Sequence, residues 1–105
     1  MSFKQISLKN FNRNNQNIQY FIELAEDTYI FIVRWNSYDN CAYLTITDYE
    51  DEPIIMGRAL VNNCVIRNSR LPYVFMFIQK NGEKYEPTID NIADEFVLVY
   101  EDGEE

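Results

Sequence analysis

The chain has no histidine, and its 105 residues include only three glycines, three prolines, two cysteines and one tryptophan. Without histidine the commonest general base and the commonest metal ligand are missing, and a serine or cysteine nucleophile lacks its usual partner. Three scattered glycines cannot build a phosphate-cradling loop. Cys41 and Cys64 are too few for a disulfide framework or a four-ligand zinc site, so both thiols are expected to be free, as in a chain that folds in a reducing cytoplasm. No stretch approaches the ~18 apolar residues of a membrane span, and the opening MSFKQISLKNF has no apolar run of signal-peptide length. Bases are the minority, nine against seventeen acids, for a net charge of −8. Nucleic-acid affinity rests mainly on neutralising phosphate, so no nucleic-acid partner is expected, nor a membrane.

What is present is a globular composition, 47% hydrophobic and 15% aromatic. The length suits one domain, which buries roughly 65% of the surface of its unfolded chain. Charge is uneven. Residues 1–20 carry Lys4, Lys9 and Arg13 and no acid, whereas from Glu83 onward nine acids face Lys84 alone. The terminal acids at 101–105 read as a mobile solvated tail. With glycine scarce, the abundant asparagines are expected to take turn positions, because Asn tolerates left-handed backbone angles.

Strand patterns follow one another along the chain. They are Phe3–Lys9, Gln19–Leu24, Thr28–Trp35, Ala42–Asp48, Pro53–Leu60, Tyr73–Lys80 and Glu95–Tyr100, all rich in β-branched and aromatic residues. Residues 10–17 (NFNRNNQN) read as a polar loop after the first strand. Lys80–Glu83 (KNGE) carries the Asn-Gly signal of a type I′ hairpin turn. Thr88–Phe96 has room for one helical turn at most. The expected fold is all-β, a small antiparallel β-sandwich or barrel of six to eight short strands. Two of the strands, Thr28–Trp35 and Tyr73–Lys80, are apolar on both faces. An antiparallel sheet usually meets water on one face, so these faces are covered either by other elements or by another chain, and in so small a domain oligomerisation is expected.

No pattern carries an enzyme, a cofactor or a small-molecule substrate. The run Asp48-Tyr49-Glu50-Asp51-Glu52 has oxygen ligands of the kind calcium takes, but it lacks the spacing and central glycine of an EF-hand loop and reads as a solvated turn. Paired carboxylates for glycoside hydrolysis are possible by residue type, yet so small a domain seldom offers the cleft. Trp35 ends an apolar strand and Asn36 follows it, with Tyr38 and Asp39 in the turn beyond. Trp35 fits core, subunit contact or sugar platform, in that order. Asn36 fits a residue that turns the chain by bonding nearby backbone. Trp35, Asn36, Tyr38 and Asp39 are thus the candidate protein-contact residues.

The order F.IEL, YIFIVRWN, YLTITD, EPIIMGRALV, LP, PT and LVY resembles the small baseplate plug proteins of contractile-tailed phages, first typified in a cyanophage. The likeness rests on Arg34, Trp35 and Asn36 at a strand end, on Tyr43 to Asp48, and on Pro53, Ile54, Gly57 and Leu60. Leu71, Pro72, Leu98 and Tyr100 also match, so it covers roughly Gln19 to Tyr100. Relatives carry glycine in the turn where this chain has Asp51 and Glu52. The resemblance implies a non-catalytic structural part of a virion tail baseplate, made in the host bacterial cytoplasm. It further implies packing near the central hub against hub proteins, tail tube proteins and copies of itself. Two alternatives stand beside it: a free-standing β-sandwich that binds carbohydrate or another ligand, and an acidic phage inhibitor of a host protein.

Overall fold

The structure, a computed structural model, describes residues 3–101. Alternating apolar residues build two four-stranded antiparallel sheets. The elements are β1 (Phe3–Ile6), β2 (Asn17–Leu24), β3 (Asp27–Asn36), β4 (Cys41–Asp48), β5 (Pro53–Leu60), β6 (Cys64–Ile66), β7 (Phe75–Gln79), α1 (Ile92–Glu95) and β8 (Phe96–Glu101). One sheet is the meander β2-β3-β4-β5, and the other has the order β1-β8-β7-β6. The chain therefore crosses between sheets twice, after β1 and after β5.

The sheets face each other across a single apolar layer, as the period of two requires. From the meander come Tyr20, Leu24, Phe31, Val33, Leu44, Ile46 and Leu60, and from the other sheet Ile6, Ile66, Phe75, Phe77, Phe96 and Leu98. Phe31 and Phe75 meet edge to face between the layers, with centroids 5.6 Å apart and planes at 80°. Phe77 stacks on Phe96 at 5.4 Å. Each such side chain contributes about 1.5–3 kcal/mol by burial alone.

Eight strands match the expected architecture, but several details differ. The first strand stops at Ile6 rather than Lys9, because the chain leaves the sheet so that Leu8 and Phe11 can plug the core between the layers. The three-residue β6 is too short to show a period. The single turn of α1 falls within the segment that had room for it. The Asn-Gly signal does not make a hairpin. Gly82 takes a positive φ but Asn81 does not, so the turn is not type I′. Instead the buried Gln79 side chain accepts the N–H groups of Asn81 (2.7 Å) and Glu83 (2.8 Å) and donates to the Tyr85 hydroxyl (2.9 Å). These bonds lead the chain outward, and only β8 returns to pair with β7. The acidic tail lies, beyond Glu101, outside the described residues.

Asparagine does take turn positions: Asn10, Asn40 and Asn63 all have positive φ. The tight β2–β3 turn is different. Leu24 pairs with Asp27, leaving Ala25 (φ +51) and Glu26 (φ +74) as both central residues. This is a type I′ geometry occupied by residues that resist it.

Replacing Ala25 and Glu26 together with Asn and Gly should stabilise the fold by about 1 kcal/mol, seen as a rise in Tm of roughly 4–8 °C. Tyr20 is buried and donates its hydroxyl to the Lys9 carbonyl at 2.8 Å. Burial pushes its pKa from 10.0 up to about 12. Because the folded value lies above the unfolded one, its contribution is complete below pH 10 and disappears as pH rises through about 12. Denaturant midpoints of Tyr20→Phe should therefore fall less across that window than those of the unsubstituted chain.

Candidate functional site

The four residues singled out by sequence sit at one end of the meander. β3 ends at Asn36 and β4 starts at Cys41, paired across a four-residue loop. Asn36 Oδ1 accepts the N–H of Tyr38 at 2.9 Å and of Asp39 at 3.2 Å, and Asn40 closes the loop with φ +50. The asparagine thus turns the chain through its own neighbours' backbone. Tyr43, on β4, donates its hydroxyl to Asp39 Oδ2 at 2.7 Å. That bond, with partial desolvation, raises the Tyr43 pKa. Tyr38 has no such tie and is 97% exposed.

Trp35 is partly buried and packs against the core. Its backbone N–H donates to the Gln16 carbonyl at 2.9 Å, which brings residues 12–16 alongside β3. The reverse turn in that loop is closed by reciprocal bonds between Asn12 and Asn15. Arg13 then reaches Asp90 with both prongs, Nε to Oδ1 at 3.1 Å and Nη2 to Oδ2 at 2.8 Å. The guanidinium holds the Asp90 carboxyl below its ordinary range. The pair is exposed, so it orients the two loops more than it stabilises the fold.

Trp35 is therefore a ridge between two open depressions. One, of about 570 Å³, lies toward Gln16, Asn40, Glu86 and Asp90. The other, of about 450 Å³, lies toward Arg34, Tyr38 and Tyr43. Sequence placed Trp35, Asn36, Tyr38 and Asp39 together because they are neighbours in the chain. It did not reveal the second wall, built by Arg13 and Asp90 from loops 77 residues apart, since nothing local marks that pairing.

The acidic run lies at the opposite end of the meander. Asp48 Oδ1 accepts the N–H groups of Glu50 (2.8 Å) and Glu52 (3.0 Å), and Asp51 takes φ +65. Asp48 Oδ2 lies 3.4 Å from Arg70 Nη2, whose Nη1 donates to the Pro53 carbonyl. The carboxylate that heads the run is thus committed to its own turn. Asp51 supplies the left-handed angle that a glycine would accept more readily. Among the described residues no group of His, Cys, Asp or Glu is arranged to hold a metal ion, and no helix there is long and apolar enough to cross a membrane. Cys41 and Cys64 are both free thiols, Cys64 buried.

Replacing Asn36 with Ala removes the acceptor for two loop N–H groups and should cost about 1 kcal/mol in denaturant unfolding. Asn36→Asp, which keeps the acceptor, should cost clearly less.

No curated protein matches the chain. A family model described as cyanophage baseplate Pam3 plug gp18 matches residues 3–104, which span the sheets, the Trp35 loop and the acidic turn. The chain belongs to that baseplate plug family.

Proposed function

We propose that this protein is a non-catalytic packing part of a phage or phage-like tail. It occupies the virion baseplate near the central hub and buries its surface against hub and tail tube proteins and against copies of itself. The observation that carries this reading is the family match over almost the whole chain. The surface supports it. Phe3, Phe21, Tyr38, Tyr49, Met56 and Val74 are all large, apolar or aromatic, and exposed. Permanent interfaces are large and more hydrophobic than transient ones, and exposed groups of this kind are what they consume.

The Trp35 lip is the contact surface in this reading. The loop is fixed from within by Asn36 and Tyr43, so Tyr38 is presented at little further entropic cost. Trp35 supplies an aromatic anchor that is already half seated in the fold, the residue type that most often dominates interface energetics.

Introduced into the tail gene cluster, Trp35→Ala and the pair Tyr38→Ala/Asp39→Ala should lower the yield of complete particles and the amount of this chain they retain. Normal particle yield with normal retention in both variants would remove the lip from the interface.

A further inference from the structure

The two sheets leave four strand edges, and three of them are protected. β1 and β6 are only four and three residues long. β5 begins with proline and is bulged twice. Its carbonyls are also bonded by side chains across the seam, Asn68 to Ile54 at 3.1 Å and Arg70 to Pro53 at 3.1 Å. Short, bulged, proline-bearing or covered edges are how soluble sheets avoid pairing with other chains. β2 has none of these devices. It runs straight for eight residues, without bulge or proline, in continuous register with β3.

Hairpin geometry decides which backbone groups β2 offers. Leu24 and Asp27 close the two-residue turn as a bonded pair, so the bonded positions alternate from there. Leu24, Ile22, Tyr20 and Ile18 bond toward β3, and the Gln16 carbonyl bonded by Trp35 keeps the same phase. Gln19, Phe21 and Glu23 therefore direct their N–H and C=O groups away from the sheet. An open groove of about 490 Å³ lies along this edge, between Ser7 and Lys9 on one side and Gln19 to Ile22 on the other. Phe21, in the middle, is 64% exposed.

We infer that the β2 edge pairs antiparallel with β2 of a second copy about a two-fold axis at Phe21, joining two meanders into one eight-stranded sheet. The arrangement is self-complementary. Phe21 faces Phe21 of the second copy, and Gln19 faces Glu23 in both directions, so no like charges oppose each other. Moving the axis to Glu23 would set Glu23 against itself. Charge at the strand ends selects the same direction. Arg34 lies at the Asn17 end, whereas Glu23, Glu26 and Asp27 lie at the turn end, all exposed. An antiparallel neighbour places each acidic end beside a basic one, twice. Ile30, next to Phe21 on β3, extends the apolar row across the joined sheet.

This pairing rests on the self-association half of the proposed function and uses nothing of the hub and tube half. The purified chain tests it by cysteine cross-linking under mild oxidation, with the unsubstituted chain as control for Cys41 and Cys64. In this register residue 21 stands opposite itself at about 5.5 Å between Cα atoms, within the roughly 4.4–6.8 Å that a disulfide accepts. Phe21→Cys should therefore cross-link to itself more than any other single variant, through a bridge strained by the wider Cβ spacing of a bonded pair. Gln19→Cys and Glu23→Cys, each about 14 Å from its own counterpart, should cross-link only when the two variants are mixed. Sedimentation should show a dimer that Phe21→Asp converts to monomer. A Phe21→Cys chain that stays uncross-linked, a Gln19→Cys chain that links to itself as readily, or a dimer that survives Phe21→Asp would overturn the pairing. Those readings are made without particles, so they fail separately from the baseplate assignment, which the particle yields of the lip variants judge.

Discussion

Contact between Phe31 and Phe75 is the point through which the two sheets hold each other. Phe31 sits midway along β3 and Phe75 opens β7, both fully buried, and their edge-to-face geometry adds attraction beyond area alone. From Phe75 the ring contacts continue to Tyr100 at 5.3 Å and on to Tyr73 at 5.0 Å. Phe77, Phe96 and Tyr85 form a second run toward the far end of the same sheet. A chain of this length has one core and no reserve. Truncating Phe31 or Phe75 would remove on the order of 3–5 kcal/mol from a total of about 5–15. The aromatic wealth of the sequence is thus consumed mainly by the interior, and what remains outside is selective.

Around that core the loops are held by polar side chains that bond their own backbone. Asn36, Asp48 and Gln79 each accept two N–H groups from the turn that follows them. Asn62 links β7 and the 83–86 segment by donating to the carbonyls of Glu83 and Tyr85 and accepting from Gln79. Such bonds do work that glycine-rich turns leave to backbone freedom. They also account for part of the acid excess. Asp48, Asp39, Asp90, Glu86 and Glu95 all accept hydrogen bonds, so these carboxylates are structural before they are a surface potential.

β2 and β4 were legible because burial on one face leaves a period of two, whereas β3, β5, β7 and β8 were placed within a few residues by their β-branched and aromatic content and the polar breaks around them. Asn36 was legible for a local reason too, since an Asx turn is a property of a few consecutive residues. The failures share a different cause. Asn81-Gly82 has the composition of a hairpin, but a buried glutamine two residues upstream captures the N–H groups that a hairpin would leave for the strands. The true type I′ turn is written in Ala25 and Glu26, which no propensity would choose, and the register of β2 on β3 overrides their preference. Arg13 and Asp90 meet only because two separate loops pass the same tryptophan. Long-range pairing of that kind leaves no trace in a single sequence.

An assembly part must reconcile two demands that conflict in one small chain. It has to stay dissolved before it is incorporated, and it has to expose enough apolar surface to bind permanently afterward. Here the demands are separated in space. Net charge of −8 keeps copies apart at a distance, while Phe21, Met56 and Tyr38 stand exposed on a rigid frame. Protection is equally uneven: the β5 edge is sealed by proline, two bulges and borrowed side chains, and the β2 edge is left bare. A fold that can blunt one edge so thoroughly has no physical obstacle to blunting the other. The asymmetry is what the proposed pairing at β2 requires, and the opposite charges at the two ends of that strand limit which direction a neighbour can take.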